Sequence, residues 1–232
     1  MKERLQKILS RHGLASRRQA EALLLEGRIC VNGSRAALGD TADEQTDVIE
    51  LDGVALQQMP PRLVLMLNKP RGYVTTMRDE KGRKNVSELV RDCGQRVYPV
   101  GRLDLFSEGL LLMTNDGELA NRLMHPGGAV KKIYHVWVSG YDPEALEKLK
   151  ASIEIDGKQT RPAKVLLLHQ KDQTAMLSFE LCEGRNRQIR RLCEHAGITV
   201  TRLRRVQEGN LCLGDLPVGK WRRLTEEEIR QL

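Results

Sequence analysis

With 232 residues, the chain has room for one large domain or a large one with a small companion. A formal charge of +7 and an isoelectric point near 9.3 favour polyanionic partners, nucleic acid first and an anionic membrane surface second. Eight aromatics exclude a surface of many stacked bases, and five scattered cysteines without a CxxC pair exclude a disulfide framework or a recognisable zinc site.

The start, MKERLQKILSRHG, lacks the apolar core of a signal peptide, and no run could span a bilayer. A soluble, cytoplasmic protein with no membrane partner is expected. Leu5, Ile8 and Leu9 recur at helical spacing until Gly13. Ser16 with Gln19 has the form of a capping box for a second helix, carrying Ala20, Leu23 and Leu24 and stopped by Gly27. Ile29–Val31 followed by Asn32-Gly33 predicts a hairpin, and Val48–Leu51 a further strand ending at Asp52-Gly53. The first 35 residues hold eight basic side chains against three acids, while acids crowd into residues 40–52. A helix pair with a basic face opposite an acidic edge suits a phosphate backbone, with Lys7, Arg11, Arg17, Arg18 and Arg28 as the candidate contacts. An ordinary solvated face is the competing reading.

Residues 54–62, VALQQMPPR, read as a linker, and Pro60-Pro61 marks a boundary between a module at 1–58 and a larger domain at 59–232. Beyond it Leu63–Leu67 reads as an apolar strand ended by NKPRG, and Leu110–Met113 as a buried strand. Asn115 and Glu118 suit the start of a helix that Pro126 ends. Ile133–Val138, Val165–Leu168 and Ala175–Leu181 have strand character, Asp156-Gly157 marks a hairpin, and Asn186 is placed to cap a helix ending at His195 before Gly197. The expected class is α+β: a small α/β module, then a larger domain on a mainly antiparallel mixed β-sheet flanked by helices.

Three clusters could carry chemistry. In GRLDLFSEGLLLMTNDG, Arg102 and Asp104 share a face if the backbone is extended, with the carboxylate at the edge of a packed core. Such an aspartate either caps a turn or does chemistry. In KIYHVWV, Tyr134 lies on the face of Val136 and Val138, with Ile133, His135 and Trp137 opposite. It is either a buried structural ring or one that stacks a base and handles a proton. Between Glu183 and Arg205 stand seven arginines against two acids. Ile189, Leu192, Cys193 and Ala196 form the apolar stripe of a helix there, which explains Cys193 without metal or thiol chemistry. Arg190 borders that stripe and can point into a cleft, while Arg187 and Arg191 are freer to meet phosphates. These residues alone support a basic two-part protein that binds RNA or DNA, without specifying a reaction.

In this order, LNKPRGYVTT, YPVGRLDLFSEGLLLMTNDGELANRLMHP, KKIYHVWVSG and EGRNRQIRRLCEHAG resemble the RsuA/RluB family of ribosomal RNA pseudouridine synthases. The first module, with RLQKILSRHGLASRRQAEALLLEGRICVNG, resembles the S4 RNA-binding domain that usually precedes the catalytic domain. The resemblance spans nearly the whole chain, departing at Leu105 and Phe106, where many relatives carry more polar residues. It implies that Asp104 is the catalytic aspartate, that Tyr134 packs on the target uracil, and that Arg190 pairs with the aspartate. Arg102 corresponds to a residue that helps hold the flipped-out nucleotide. The implied reaction breaks the N1–C1′ bond of a uridine, rotates the uracil and rejoins it through C5. No redox step occurs, so neither cofactor nor metal is expected. Two routes stay open, attack of Asp104 at C1′ and removal of a sugar proton to give a glycal, with a lean to the second. The strings EGRNRQIRRL and KIYHVWVSG resemble the RluB branch more than the RsuA branch. The expected substrate is therefore 23S ribosomal RNA, as an assembly intermediate or naked, and the expected state a monomer. An RsuA-like enzyme acting on 16S RNA and a non-catalytic RNA-binding assembly factor are the alternatives.

Overall fold

The computed structural model describes residues 1–125 and 130–232, which divide into two units. The first comprises Met1–Leu63 with Cys93–Val97 and Asn115–Gly117. Its elements are β1 (Glu3–Arg4), α1 (Leu5–Arg11), α2 (Arg17–Leu25), β2 (Ile29–Val31), β3 (Ser34–Arg35), β4 (Thr41–Ala42), β5 (Ile49–Leu51) and β6 (Val54–Ala55). The capping box forms as the spacing predicts: Gln19 N donates to Ser16 Oγ, and Ser16 N donates to Gln19 Oε1. Asn32 and Gly33, with φ of 52° and 76°, make the tight turn between β2 and β3. Leu5, Ile8, Leu9 and Leu24 from the helices pack with Ile29 and Ile49 of the sheet β3-β2-β5-β6. Val54 and Ala55, expected in a linker, pair with β5 instead, because the Asp52-Gly53 turn reverses the chain there.

The second unit holds Val64–Asp92, Tyr98–Thr114 and Glu118–Leu232. Its elements begin with β7 (Val64–Lys69), α3 (Val86–Leu89), β8 (Tyr98–Val100), β9 (Glu108–Thr114), α4 (Gly117–Met124), β10 (Lys132–Ser139) and α5 (Pro143–Lys150). They continue with β11 (Glu154–Ile155), β12 (Lys158–Gln159), β13 (Lys164–Lys171), β14 (Thr174–Leu181), α6 (Gln188–His195), β15 (Thr199–Glu208), β16 (Leu211–Cys212), β17 (Trp221–Arg223) and α7 (Glu226–Arg230). Pro126, the expected end of α4, lies outside the described residues.

The main sheet runs β13-β14-β10-β15-β9-β7-β17, with β16 on β15 and β8 on β9. Neighbours are antiparallel except β9 and β15, which pair in parallel. The mixed, mainly antiparallel sheet of an α+β chain is therefore present. Both faces of β7 and β9 are buried, which explains their unbroken apolar runs. By contrast β10 alternates, with Tyr134, Val136 and Val138 buried, and α6 packs against α5 and β15.

Two features depart from the sequence expectation. The ten-residue β15 is hidden in an arginine-rich run, because Arg202, Arg204 and Arg205 interrupt its apolar alternation. Helix α6 starts at Gln188 and Asn186 does not cap it; Arg187 holds the N-cap position in a left-handed conformation, with φ 53° and no side-chain cap bond. Gln188 organises this entry, its Oε1 accepting from Arg185 N and its Nε2 donating to Glu183.

Candidate active site

The centre of the second unit is one lateral row of the sheet. Phe179 on β14 faces Tyr134 on β10, Tyr134 faces Arg205 on β15, Arg205 faces Gly109 on β9, and Gly109 faces Lys69 on β7. Residues 101–107 lead directly into β9, so the row brings Tyr134 and the Asp104 loop together from sequence positions thirty apart.

Each carbonyl from Leu103 to Ser107 has a donor. Thr75 Oγ1 donates to Leu103 O at 2.6 Å, and Leu103 N donates back to the same hydroxyl. Asp104 O accepts from Lys69 Nζ at 3.1 Å and Ser107 N at 3.0 Å. Gly72 N donates to Leu105 O, Arg190 Nη2 to Phe106 O at 3.2 Å, and Lys69 Nζ to Ser107 O at 2.8 Å. Lys69 is wholly buried, and its third bond, to Pro70 O, uses the last proton of the ammonium. Burial pulls its pKa down to about 8, against the attraction of Asp104 and Glu108. A buried cation with three carbonyl partners is a rigid clamp.

The Asp104 carboxylate is left open: among the described residues its oxygens have no hydrogen bond or ion pair, and the residue is half-buried. Arg190 comes within electrostatic reach, since Asp104 favours its charge. The guanidinium does not form the implied ion pair, however, and donates to Phe106 O and Val200 O. Burial, with Arg187 and Arg71 nearby, holds Arg190 below the usual guanidinium range.

Tyr134 is buried. Burial pushes its hydroxyl above the usual phenol range, against the pull of Arg205, so the hydroxyl is neutral at pH 7. Arg205 is itself buried; its Nε donates to Leu110 O at 2.7 Å and its Nη2 lies 3.3 Å from the Glu208 carboxylate. Lys132 approaches the same carboxylate at 3.7 Å. Burial raises the Cys193 thiol to about 12, as befits a core residue.

The other candidates divide by partner. Arg102 and Arg187 are exposed and without ion-pair partners among the described residues, whereas Arg191 pairs with Asp156 at 2.9 Å. In the first unit Arg17 and Arg18 are also exposed and without partners. Lys7 instead pairs with Glu3, Arg11 with Glu3 and Glu44, and Arg28 with Asp52 and Glu26. The acidic stretch therefore does not stand opposite the basic helices: Glu44 folds onto the end of α1, meeting both Arg11 and His12.

Sequence reading missed Lys69, Thr75, Gly109 and Arg205 as parts of this site. Lys69 and Thr75 stand within LNKPRGYVTT, where a lysine closing an apolar strand was the available signal. Arg205 lies two residues after buried Leu203, on its face of the strand, a period-two signal hidden among other arginines.

A half-buried carboxylate on a clamped loop thus lies near a buried tyrosine of the main sheet and near Arg190 of α6. The chain belongs to the RNA pseudouridylate synthase family, whose profile matches residues 63–195, and an S4 domain profile matches residues 3–48. It is an isomerase. Over 233 residues it is 42% identical to ribosomal large subunit pseudouridine synthase B of Bacillus subtilis (strain 168), covering 99% of this chain and 95% of that protein. The protein of the same name from Vibrio cholerae serotype O1 is 39% identical, covering 100% of this chain and 74% of the relative. A crystal structure of a pseudouridylate synthase, 26% identical, superposes with a TM-score of 0.70 over 98% of both chains.

Proposed function

We propose that this enzyme converts a uridine of 23S ribosomal RNA to pseudouridine, with Asp104 as the catalytic carboxylate. The observation that carries the assignment is the contrast within residues 103–107: every carbonyl is held, while the Asp104 carboxylate has no partner among the described residues. Such preorganisation keeps a reactive group aimed without tying up its lone pairs. The relatives' names support the large-subunit RNA as substrate.

Residues 1–58 act as the S4-like RNA-binding module and residues 59–232 as the catalytic domain, working as a cytoplasmic monomer on an assembly intermediate or naked RNA. Arg102 steadies the turned-out nucleotide, and the neutral Tyr134 ring packs on its uracil. In the isomerisation the N1–C1′ bond breaks and a C5–C1′ bond forms. The proton leaving C5 is balanced by one gained at N1, so no electrons enter or leave. A carboxylate with free lone pairs serves either attack at C1′ or removal of the C2′ proton.

The test is a map of pseudouridine in both ribosomal RNAs, by carbodiimide-adduct primer extension, in cells lacking the protein. One 23S site should disappear, return with the wild-type gene and stay absent with Asp104→Asn. Loss of a 16S site instead would overturn the substrate, and full rescue by Asp104→Asn would overturn the role of the aspartate.

A further inference from the structure

Outside the groups used above, the strongest unexplained feature is an excess of positive charge around the Asp104 loop. Gly72 N donates to Leu105 O at 2.8 Å, which holds the residue after Arg71 against the loop. Arg190 Nη2 donates to Phe106 O, which sets the first turn of α6, entered through Arg187, against the same loop. Arg71, Arg187 and Arg190 are therefore all carried on segments held against the Asp104 loop. Arg71 and Arg187 are both near enough to repel the charge of Arg190, which Asp104 favours. Glu108, the next carboxylate along, is already bound by Arg202 at 2.6 Å. Arg71 and Arg187 are exposed and have neither an ion pair nor a side-chain hydrogen bond among the described residues.

The backbone at Arg187 adds a second observation. Its φ of 53° lies in the left-handed region, which a bulky side chain adopts at a cost and glycine adopts freely. Its side chain forms no cap bond to α6 that would repay this strain. Strain held at an exposed arginine that opens the helix carrying Arg190 suggests a use for the side chain outside the fold.

We propose that Arg71 and Arg187 form a phosphate clamp that grips the RNA backbone on either side of the nucleotide presented to Asp104. Forked, exposed guanidiniums fit phosphodiester oxygens, and two of them supply the charge that two backbone phosphates neutralise. The clamp deepens the reading of the site as a pseudouridine synthase centre and rests on it.

The test uses full-length protein and an unmodified 23S RNA transcript, with filter binding across a salt series. Arg71→Gln and Arg187→Gly should each reduce the slope of log K against log salt by about 0.7 to 0.9, and the double variant by about twice that. KM should rise several-fold with a smaller change in kcat. The glycine variant separates function from fold: relief of the left-handed strain should leave Tm unchanged or raise it while the slope falls. An unchanged slope in the double variant overturns the clamp, as does an Arg187→Gly protein that loses both slope and Tm while Arg71→Gln loses neither. Because binding is read apart from turnover, the two ideas fail separately. A wild type that forms pseudouridine with unaltered variant slopes sinks only the clamp. One that forms none, with reduced variant slopes, sinks only the enzymatic reading.

Discussion

Lys69 carries more of the site's geometry than its place in a turn-like NKPRG string suggests. Its three ammonium protons reach Pro70 O, Asp104 O and Ser107 O, so one side chain fixes both ends of the turn that presents the Asp104 carboxylate. Lys69→Met keeps the volume and removes the donors, leaving buried carbonyls unpaired. We expect a loss of about 3 kcal/mol in stability, read by urea denaturation, and a fall in kcat larger than the change in KM. The pH dependence has a defined sign. With a folded pKa of about 8 and an ordinary lysine value in the unfolded chain, the unfolded state binds more protons between about pH 8 and 10.5. Wild-type stability relative to Lys69→Met should therefore rise with pH across that window, approaching about 1.4 kcal/mol per pH unit. A flat difference would mean that Lys69 keeps its full charge in the fold. The residue string marks Lys69 only as a lysine closing an apolar strand, since the two loop carbonyls it holds lie 35 and 38 positions away and meet it only through strand pairing. Asp104 is different: its position before a buried strand, with Tyr134 and Arg190 clusters following in order, is legible in the sequence.

At the level of elements, the parallel contact of β9 with β15 decides where the loop sits. A Cβ at Gly109 would lie 2.2 Å from Arg205 O and 2.8 Å from Arg205 N, both main-chain atoms that cannot swing aside. Its φ of +104° adds strain for any other residue. Gly109→Ala should therefore separate the two strands, with a loss of about 3 kcal/mol and of most activity, because Arg205 and Tyr134 belong to the same row. Gly33→Ala is the control. It also has a positive φ but meets nothing within 4 Å, so it should cost only about 1 kcal/mol. Equal losses in thermal unfolding would show that conformation alone matters at Gly109. The strands that obey simple patterns are legible because burial on both faces leaves an unbroken apolar run in β7 and β9, and burial on one face an alternation in β10. The central β15 was not, because Arg202 and Arg204 on its open face and Arg205 on its core face blur the alternation. The entry to α6 was misread for a related reason: Asn186 has capping chemistry, but the chain turns one residue later through a left-handed arginine.

For the whole molecule, a charge of +7 indicates affinity for a polyanion without saying which side chains supply it. The ion pairs sort them. Arg28 sits between Asp52 and Glu26, and Arg11 between Glu3 and Glu44, so RNA would have to compete with carboxylates already in place. Arg17 and Arg18, at the exposed start of α2, have no such competitor among the described residues. Counterion release then predicts unequal effects from substitutions of equal charge. Arg17→Gln and Arg18→Gln should each lower the salt slope of 23S RNA binding by about 0.7 to 0.9 and weaken binding most at low salt. Arg28→Gln should change the slope little, since its charge is already balanced within the unit. Equal slopes for all three variants and wild type would make the first unit's basic helices a solvated face, whereas a large effect of Arg28→Gln would mean that RNA displaces Asp52. Filter binding between 50 and 200 mM salt, a span of about a factor of four that resolves a single phosphate contact, distinguishes these outcomes.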